Sequence, residues 1–287
     1  MDLSISGGLK KGTPVQSNPT VVLRNVSKTY LITNDGSERS INPFRHRERV
    51  QALKPMSLVT YSGESVGVLG LNGSGKSTLL RIIGGSETPT TGIVGVSEKP
   101  TLLGVSSALQ PELSGHQNVY LGLLAMGMTP SEARPLVQPI IEWAELEDAA
   151  KRAMRTYSSG QQARLKFAIA TSVRREVLLV DEALSTGDGA FAEKARVRMN
   201  QFLENAGTVF IVSHGSGTIK QHCTRAIWLH KGEVIADGDV SFISKTYDAW
   251  VRRVGRGEFD VADRIIERRK RLYTAPEITL RSELPLA

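Results

Sequence analysis

A regular alternation of apolar and polar residues sets in at Val21, where VVLRNVSKTY predicts a strand with one buried face. The stretch before it, 1–20, is polar and rich in Gly, Lys, Ser and Pro, and reads as a flexible leader. Residues 31–50 interrupt the pattern with Asn-Asp-Gly, a proline and clustered charge, as an insertion with room for a short helix would. Beyond it, LKPMSLVTYSGESVGVLG predicts two more strands and LLRIIGG opens a helix. Thr129-Pro130-Ser131-Glu132 has the form of a capping box with proline at the first helical position. Pro135 and Pro139 predict that the helix it starts is short or kinked. A helix is expected from Ser158 to about Arg174, then a strand at Val177–Val180 whose unbroken apolar run implies burial on both faces. A helix over about 189–205 and the strand TVFIVS follow. After the hairpin-like IWLHKGEVIADGD, the residues Ile243, Tyr247, Trp250, Val251 and Val254 recur at helical spacing. From Gly255 onward the chain is Arg-rich and then Pro- and Ser-containing, and no internal repeat is present. Alternating strands and helices predict an α/β fold with a mainly parallel sheet.

Composition narrows the class. With 287 residues, 40% hydrophobic and 23% charged, the chain is an ordinary globular protein, which excludes wholesale disorder. No apolar run approaches the roughly 18 residues of a membrane span, and the N-terminal stretch lacks a signal-peptide core. A single cysteine, Cys223, excludes an internal disulfide, and a cytoplasmic compartment is expected. Thirty-six Lys and Arg against 29 Asp and Glu leave +7, which favours an anionic partner: nucleotide, nucleic acid or acidic lipid.

The candidate chemistry selects the nucleotide. Gly70-Leu71-Asn72-Gly73-Ser74-Gly75-Lys76-Ser77-Thr78, between a predicted strand and a predicted helix, fits the phosphate-binding loop G-x-x-x-x-G-K-[ST]. Its glycines let backbone N–H groups turn toward phosphates, Lys76 can reach the β and γ phosphates, and the Ser77 hydroxyl can ligate Mg²⁺. About a hundred residues further on, the strand at 177–180 ends in Asp181 and Glu182. Asp181 can help hold Mg²⁺, and Glu182 can polarise an attacking water. His214 follows another apolar strand, where ligands gather in open α/β sheets. Tyr157-Ser158-Ser159-Gly160-Gln161 opens a helix with a Ser/Gly turn, a second possible phosphate contact that is, viewed alone, only an N-cap.

In this order, over roughly 21–240, the pieces resemble the ATP-binding cassette (ABC) family of transport ATPases. The resemblance implies an α/β P-loop ATPase with a mixed-sheet core, a helical signature subdomain at about 106–175, and a short C-terminal helical extension over 241–287. It also implies ATP and Mg²⁺ as cofactors, Lys76, Glu182 and His214 as catalytic, and Ser77 and Asp181 as metal ligands. Tyr30 looks like the aromatic that stacks on adenine. Ser158, Ser159, Gly160 and Gln161 look like the signature turn that contacts the nucleotide of a second copy in a head-to-tail dimer, and Asp188 lies in the loop facing that copy. No residue near Val105 matches the family's membrane-facing glutamine; Gln110 lies several residues later and is given no Mg²⁺ role.

YSSGQ and DEALSTGD, with LLGVSSALQPELSGHQNVYLG and the 31–50 insertion, are similar to the ATPase subunits of polysaccharide, O-antigen and teichoic-acid exporters. The stretch beyond Asp239 is too short for an appended carbohydrate-binding β-sandwich, as in the actinobacterial galactan exporters. This resemblance implies a peripheral subunit on the cytoplasmic side of the cell membrane, an integral membrane permease, and a lipid-linked polysaccharide substrate, with galactan the first expectation. No nucleic acid is expected; the alternative is a soluble cassette acting on nucleic acid or ribosomes. Arg268-Arg269-Lys270-Arg271 reads as one concentrated positive edge suited to anionic lipid, and the insertion as lying at the transporter's cytoplasmic mouth.

Overall fold

The computed structural model describes residues 19–33, 47–102, 108–173, 175–180, 189–204, 206–213 and 215–279. Strand β1 (Pro19–Thr33) pairs antiparallel with β2 (Arg47–Tyr61). The third strand, β3 (Ser65–Leu69), leads through the 70–75 loop into helix α1 (Lys76–Ile83), and β4 (Thr91–Val96) returns to pair with β1. The remaining strands, β5 (Thr101–Leu102), β6 (Val177–Val180), β7 (Thr208–Val212), β8 (Arg225–His230) and β9 (Glu233–Asp239), join β3 in a sheet ordered β5-β6-β7-β3-β8-β9. All pairs in it are parallel except β8–β9.

Between β5 and β6 stand α2 (Gly115–Ala125), α3 (Pro130–Ala133), α4 (Val137–Trp143) and α5 (Ser159–Ala170). Helices α6 (Gly189–Glu204) and α7 (Ser216–His222) link the parallel strands, and α8 (Val240–Gly255) and α9 (Phe259–Leu272) close the chain. The fold is thus α/β with a mixed sheet, as expected.

Two cores share the large sheet. Val177 and Leu179 of β6, with Phe210 and Val212 of β7, enter a cluster with α1 and the small sheet. Leu178, Val180, Val209 and Ile211 point the other way, into a cluster with the helices α2, α4 and α5 and with Trp228, Tyr247 and Trp250. Alternation with period two buries both faces, so every residue of these strands is apolar or nearly so.

Several boundaries differ from expectation. The leader ends earlier, because Thr20 is buried and its hydroxyl meets those of Thr208 at 2.5 Å and Thr60 at 3.3 Å, which makes it part of β1. Residues 31–33 and 47–50 do not form an insertion of their own; they continue the β1–β2 ladder, Thr33 opposite Arg47. The expected short helix falls at 34–46, outside the described residues. Proline divides the helix after Thr129 as foreseen, with a 3-10 turn at Arg134–Leu136 between α3 and α4. The helix from Ser158 stops at Ala170 rather than near Arg174, where the Thr171 hydroxyl donates to the Phe167 carbonyl at 2.9 Å. The Arg-rich tail folds as α9, within the helical extension expected there, and buries Ala262 and Ile266. Helical rotation also splits the basic block. Arg269 lies 4.5 Å from the Phe242 ring centroid and Lys270 pairs with Glu233 at 2.9 Å, which leaves Arg268 and Arg271 as the exposed pair.

Candidate functional site

The apolar strand β3 delivers the chain into a loop whose geometry depends on glycine. Gly75 has φ 100° and is the N-cap of α1. A Cβ there would lie 2.6 Å from Leu53 Cδ2 and 2.7 Å from the Ala52 carbonyl oxygen, so only glycine fits both the dihedral and the space. The loop is braced from outside. Ser74 N–H donates to the Leu71 carbonyl at 3.1 Å, Gly232 N–H to the Ser74 carbonyl at 3.0 Å, and Lys54 N–H to the Gly232 carbonyl at 2.8 Å. Lys231 and Gly232, with φ of 49° and 76°, make the tight β8–β9 turn that supplies this brace. Its role was not read from the sequence, although a Lys-Gly pair within a hairpin pattern marks the turn.

Asn72 to Thr78 and Val212 line a cavity of about 230 Å³. Lys76 is buried, and its Nζ donates to the Gly70 and Leu71 carbonyls at 2.7 and 3.1 Å, which holds the ammonium at the cavity wall. The first N–H groups of α1 have no acceptor within the helix and Gly75 offers no side-chain cap, while no acidic side chain in the first turn offsets the positive end of the helix dipole. The buried Ser74 hydroxyl has no hydrogen-bond partner among the described residues. Such a donor-rich cradle with an orphaned hydroxyl suits a polyanion such as the phosphates of a nucleotide. The Ser77 hydroxyl is exposed beside it, a hard oxygen suited to Mg²⁺. Among the described residues no cluster of three or more His, Cys, Asp or Glu could hold a metal by itself, so a cation here would draw oxygens from the nucleotide as well.

Asp181, Glu182, Asp188, His214 and Val105 lie outside the described residues. The strands that lead to 181 and 214 are β6 and β7, parallel neighbours in the order β6-β7-β3, and their C-terminal ends share one sheet edge with the phosphate loop. Val212, two residues before His214, lines the cavity. Gln110 is exposed, and its backbone is fixed by Asn118, whose Oδ1 accepts from Gln110 N–H at 2.7 Å and whose Nδ2 donates to its carbonyl at 2.9 Å.

Tyr30 reaches the far end of α1. Its hydroxyl donates to Glu87 Oε2 at 2.7 Å, and Lys28 Nζ stands 5.1 Å from its ring centroid while pairing with Glu87 at 3.1 Å. The Tyr30 hydrogen bond, helped by Lys28, holds the Glu87 carboxyl below the usual carboxylate range against the opposing effect of desolvation. Glu87 was not singled out in the sequence.

The Ser158–Gln161 turn stands apart: none of its residues lines the phosphate-loop cavity. Ser158 caps α5 in a reciprocal box, its hydroxyl accepting from Gln161 N–H at 3.2 Å and its own N–H donating to Gln161 Oε1 at 3.0 Å. The preceding Tyr157 is buried, donates to the Ala149 carbonyl at 2.8 Å, and has its phenol pKa raised by burial. Ser158 and Ser159 are exposed, and a Cβ on Gly160 would meet nothing closer than Ser158 Oγ at 3.9 Å. The outer side of this turn is open.

Fold and phosphate loop together define a P-loop nucleotide-binding protein of the α/β class. Comparison with known proteins sharpens this. The family model for ABC transporters matches residues 53–185. A teichoic acids export ATP-binding protein, TagH, of Listeria innocua is 34% identical over 91% of this chain and 79% of its own length. TagH proteins of Bacillus cereus and Bacillus anthracis are 39% and 36% identical over 82% of this chain, but over 43% and 44% of themselves. The chain thus spans less than half the length of those two relatives. Among solved structures, a dimeric, post-hydrolysis ATP-binding cassette with ADP and Pi bound is 28% identical, with a TM-score of 0.58 over 77% of this chain and 98% of that one. An ATP-binding subunit of an ABC transporter, at 20% identity and a TM-score of 0.59 over 80% of this chain and 93% of that one, shares the fold. The chain belongs to the ABC transporter family.

Proposed function

We propose that this chain is the ATP-hydrolysing, nucleotide-binding subunit of an exporter that moves a lipid-linked polysaccharide across the cytoplasmic membrane. The observation that carries this is the phosphate-loop cavity, with its orphaned Ser74 hydroxyl and buried Lys76, in a chain similar to a teichoic acids export ATP-binding protein along most of both lengths. Residues 70–78 hold the triphosphate, and Lys76 offsets charge as the γ-phosphoryl group transfers. Ser77 and Asp181 hold Mg²⁺, which supplies further neutralisation of the phosphate oxygens. Glu182 orients and polarises the attacking water, and His214 contacts the γ-phosphate. Tyr30 stacks on adenine with the ring face not covered by Lys28.

The Ser158–Gln161 turn serves the nucleotide of a second copy, a reading supported by its open outer side and its absence from the lining of its own chain's cavity. Two copies then form a head-to-tail dimer around two ATP molecules. No helix among the described residues is long and apolar enough to cross a membrane; the path belongs to a separate permease, and this subunit sits peripherally on its cytoplasmic side. All three TagH relatives carry teichoic acids in their names, which favours a polymer of that kind over galactan. The alternative of action on nucleic acid or ribosomes has no support among these relatives.

The test is to purify the chain with its co-isolating membrane protein and follow ATPase activity with lipid-linked glycan or RNA added. Stimulation by the glycan is expected. RNA-stimulated hydrolysis by the chain alone, with no membrane partner recovered, would overturn the proposal.

A further inference from the structure

Helix α4 ends in a reversal that normally falls to glycine. Glu145 N–H donates to the Glu142 carbonyl at 3.0 Å and Leu146 N–H to the Ile141 carbonyl at 3.2 Å, the paired bonds of a Schellman end. Glu145 therefore has φ 57°, a left-handed backbone that Gly or Asn adopts far more readily than a long side chain. One oxygen of its carboxylate accepts from Lys194 Nζ of α6 at 2.6 Å, and the other from Arg164 of α5 at 3.5 Å. Three helices meet at one carboxylate held in a costly conformation, and an unfavourable backbone retained at a junction points to a role for the side chain.

The neighbouring contacts join the same helices. Trp143 stacks on Phe167 of α5, with ring centroids 5.7 Å apart, and meets Phe191 of α6 edge-on at 5.2 Å. Phe191, Lys194 and Arg198 lie at i, i+3 and i+7 on one face of α6, and Lys194 and Arg198 stand 5.3 and 4.1 Å from the Trp143 ring centroid. Arg198 also donates to the hydroxyl of Thr171, the C-cap of α5, at 2.8 Å. Helix α5 begins at the Ser158–Gln161 turn, and α6 begins directly after residues 181–188.

We infer that Glu145 is a positioning residue that latches α5 to α6, so that the signature turn at the start of α5 keeps one placement relative to α6 as a second copy closes on the nucleotide. This presupposes the nucleotide-sandwich dimer proposed above. Glu145 touches no nucleotide; it acts through Arg164 and Lys194. A purely structural Glu145 and a latching one predict opposite results for glycine. Glycine relieves the left-handed backbone, so a structural role leaves activity intact, whereas a latch separates stability from activity.

The experiment uses the full chain carrying Glu145→Gly, Glu145→Asn or Lys194→Met. It reads melting temperature, affinity for a fluorescent ATP analogue, kcat, and the protein concentration giving half-maximal ATPase. Glu145→Gly and Glu145→Asn are expected to melt at or above wild type and to keep nucleotide affinity, since the phosphate loop is untouched. Their half-maximal concentration should rise about 5- to 20-fold, the range of a modest coupling between sites. Lys194→Met, which removes an exposed charge without opening a cavity, should give a similar rise, and combining it with Glu145→Gly should add little. Unchanged concentration dependence and kcat in Glu145→Gly overturn the latch, provided wild type dimerises with ATP. If wild type shows no ATP-dependent dimer, even with Glu182→Gln, the sandwich dimer itself fails and the latch with it.

Discussion

Replacing Gly75 with alanine separates the backbone's part in phosphate binding from that of Lys76. At φ 100° an L-residue is disfavoured by about 1–2 kcal/mol. The added Cβ would also stand 2.7 Å from the Ala52 carbonyl oxygen and 2.6 Å from Leu53 Cδ2. Neither yields easily: one is backbone within β2, and Leu53 is fully buried. Overpacking of this kind costs about 1–3 kcal/mol. The loop can relieve both by shifting away from β2, so the penalty falls on phosphate binding more than on global folding. Gly73→Ala is the internal control, because Gly73 also has positive φ, 75°, but a Cβ there meets nothing within 4 Å. Strain alone should weaken ATP binding about 5- to 30-fold in Gly73→Ala, at about 1.4 kcal/mol per tenfold. Gly75→Ala should lose a further factor of about 5 to 140. Titration with a fluorescent ATP analogue measures both, with thermal melts to confirm folding. Equal losses at the two positions would refute the steric account, and wild-type affinity in Gly75→Ala would refute the assignment of this loop to phosphate.

Glu182→Gln should lower ATP turnover by roughly 10²–10⁴-fold while retaining nucleotide, and should accumulate an ATP-bound dimer on gel filtration; wild-type turnover removes Glu182 from the mechanism. Lys76→Ala should abolish hydrolysis, and mixing it with Gly160→Asp, whose Cβ meets nothing closer than 3.9 Å, should restore partial activity through one intact composite site. If Gly160→Asp monomers themselves lose ATP binding, the turn does not act in trans. Acid stability offers a further check, because the folded Glu87 carboxyl is held below its ordinary 4.5, first by the Tyr30 hydroxyl. That contribution is fully present above 4.5 and fades as pH falls through the folded value. Tyr30→Phe should move the acid limb of thermal unfolding to higher pH while sparing the ring that stacks on adenine; superimposable limbs would show that the hydrogen bond contributes nothing.

What the sequence discloses follows from how few residue types each task tolerates. Phosphate binding needs glycine where the backbone turns inward, and a lysine and hydroxyl at fixed offsets, so residues 70–78 are legible without coordinates. The inner strands β6 and β7 are legible because burial on both faces leaves them apolar but for Thr208 at the start of β7. Thr129 and Glu132 announce α3 because a capping box is local, and the structure forms it with Glu132 bonding the Thr129 N–H at 2.8 Å.

The rest depends on contacts distant in sequence. Helix α9 hides within a run of charge, since Ala262 and Ile266 are a thin apolar stripe whose partners lie on α8 and β9. The β1–β2 ladder continues past Tyr30 through Arg47, Glu48 and Arg49 because edge pairing uses backbone groups, to which charge is no obstacle. The Gly232 brace on Ser74 spans more than half the chain, and only a backbone N–H records it. Glu145 is the sharpest case. In sequence it is one more acid in AELED, and nothing marks it until its backbone proves left-handed and its carboxylate is found between Arg164 and Lys194. Motifs therefore identify the groups that meet the nucleotide, while the residues that aim those groups come to light only through geometry.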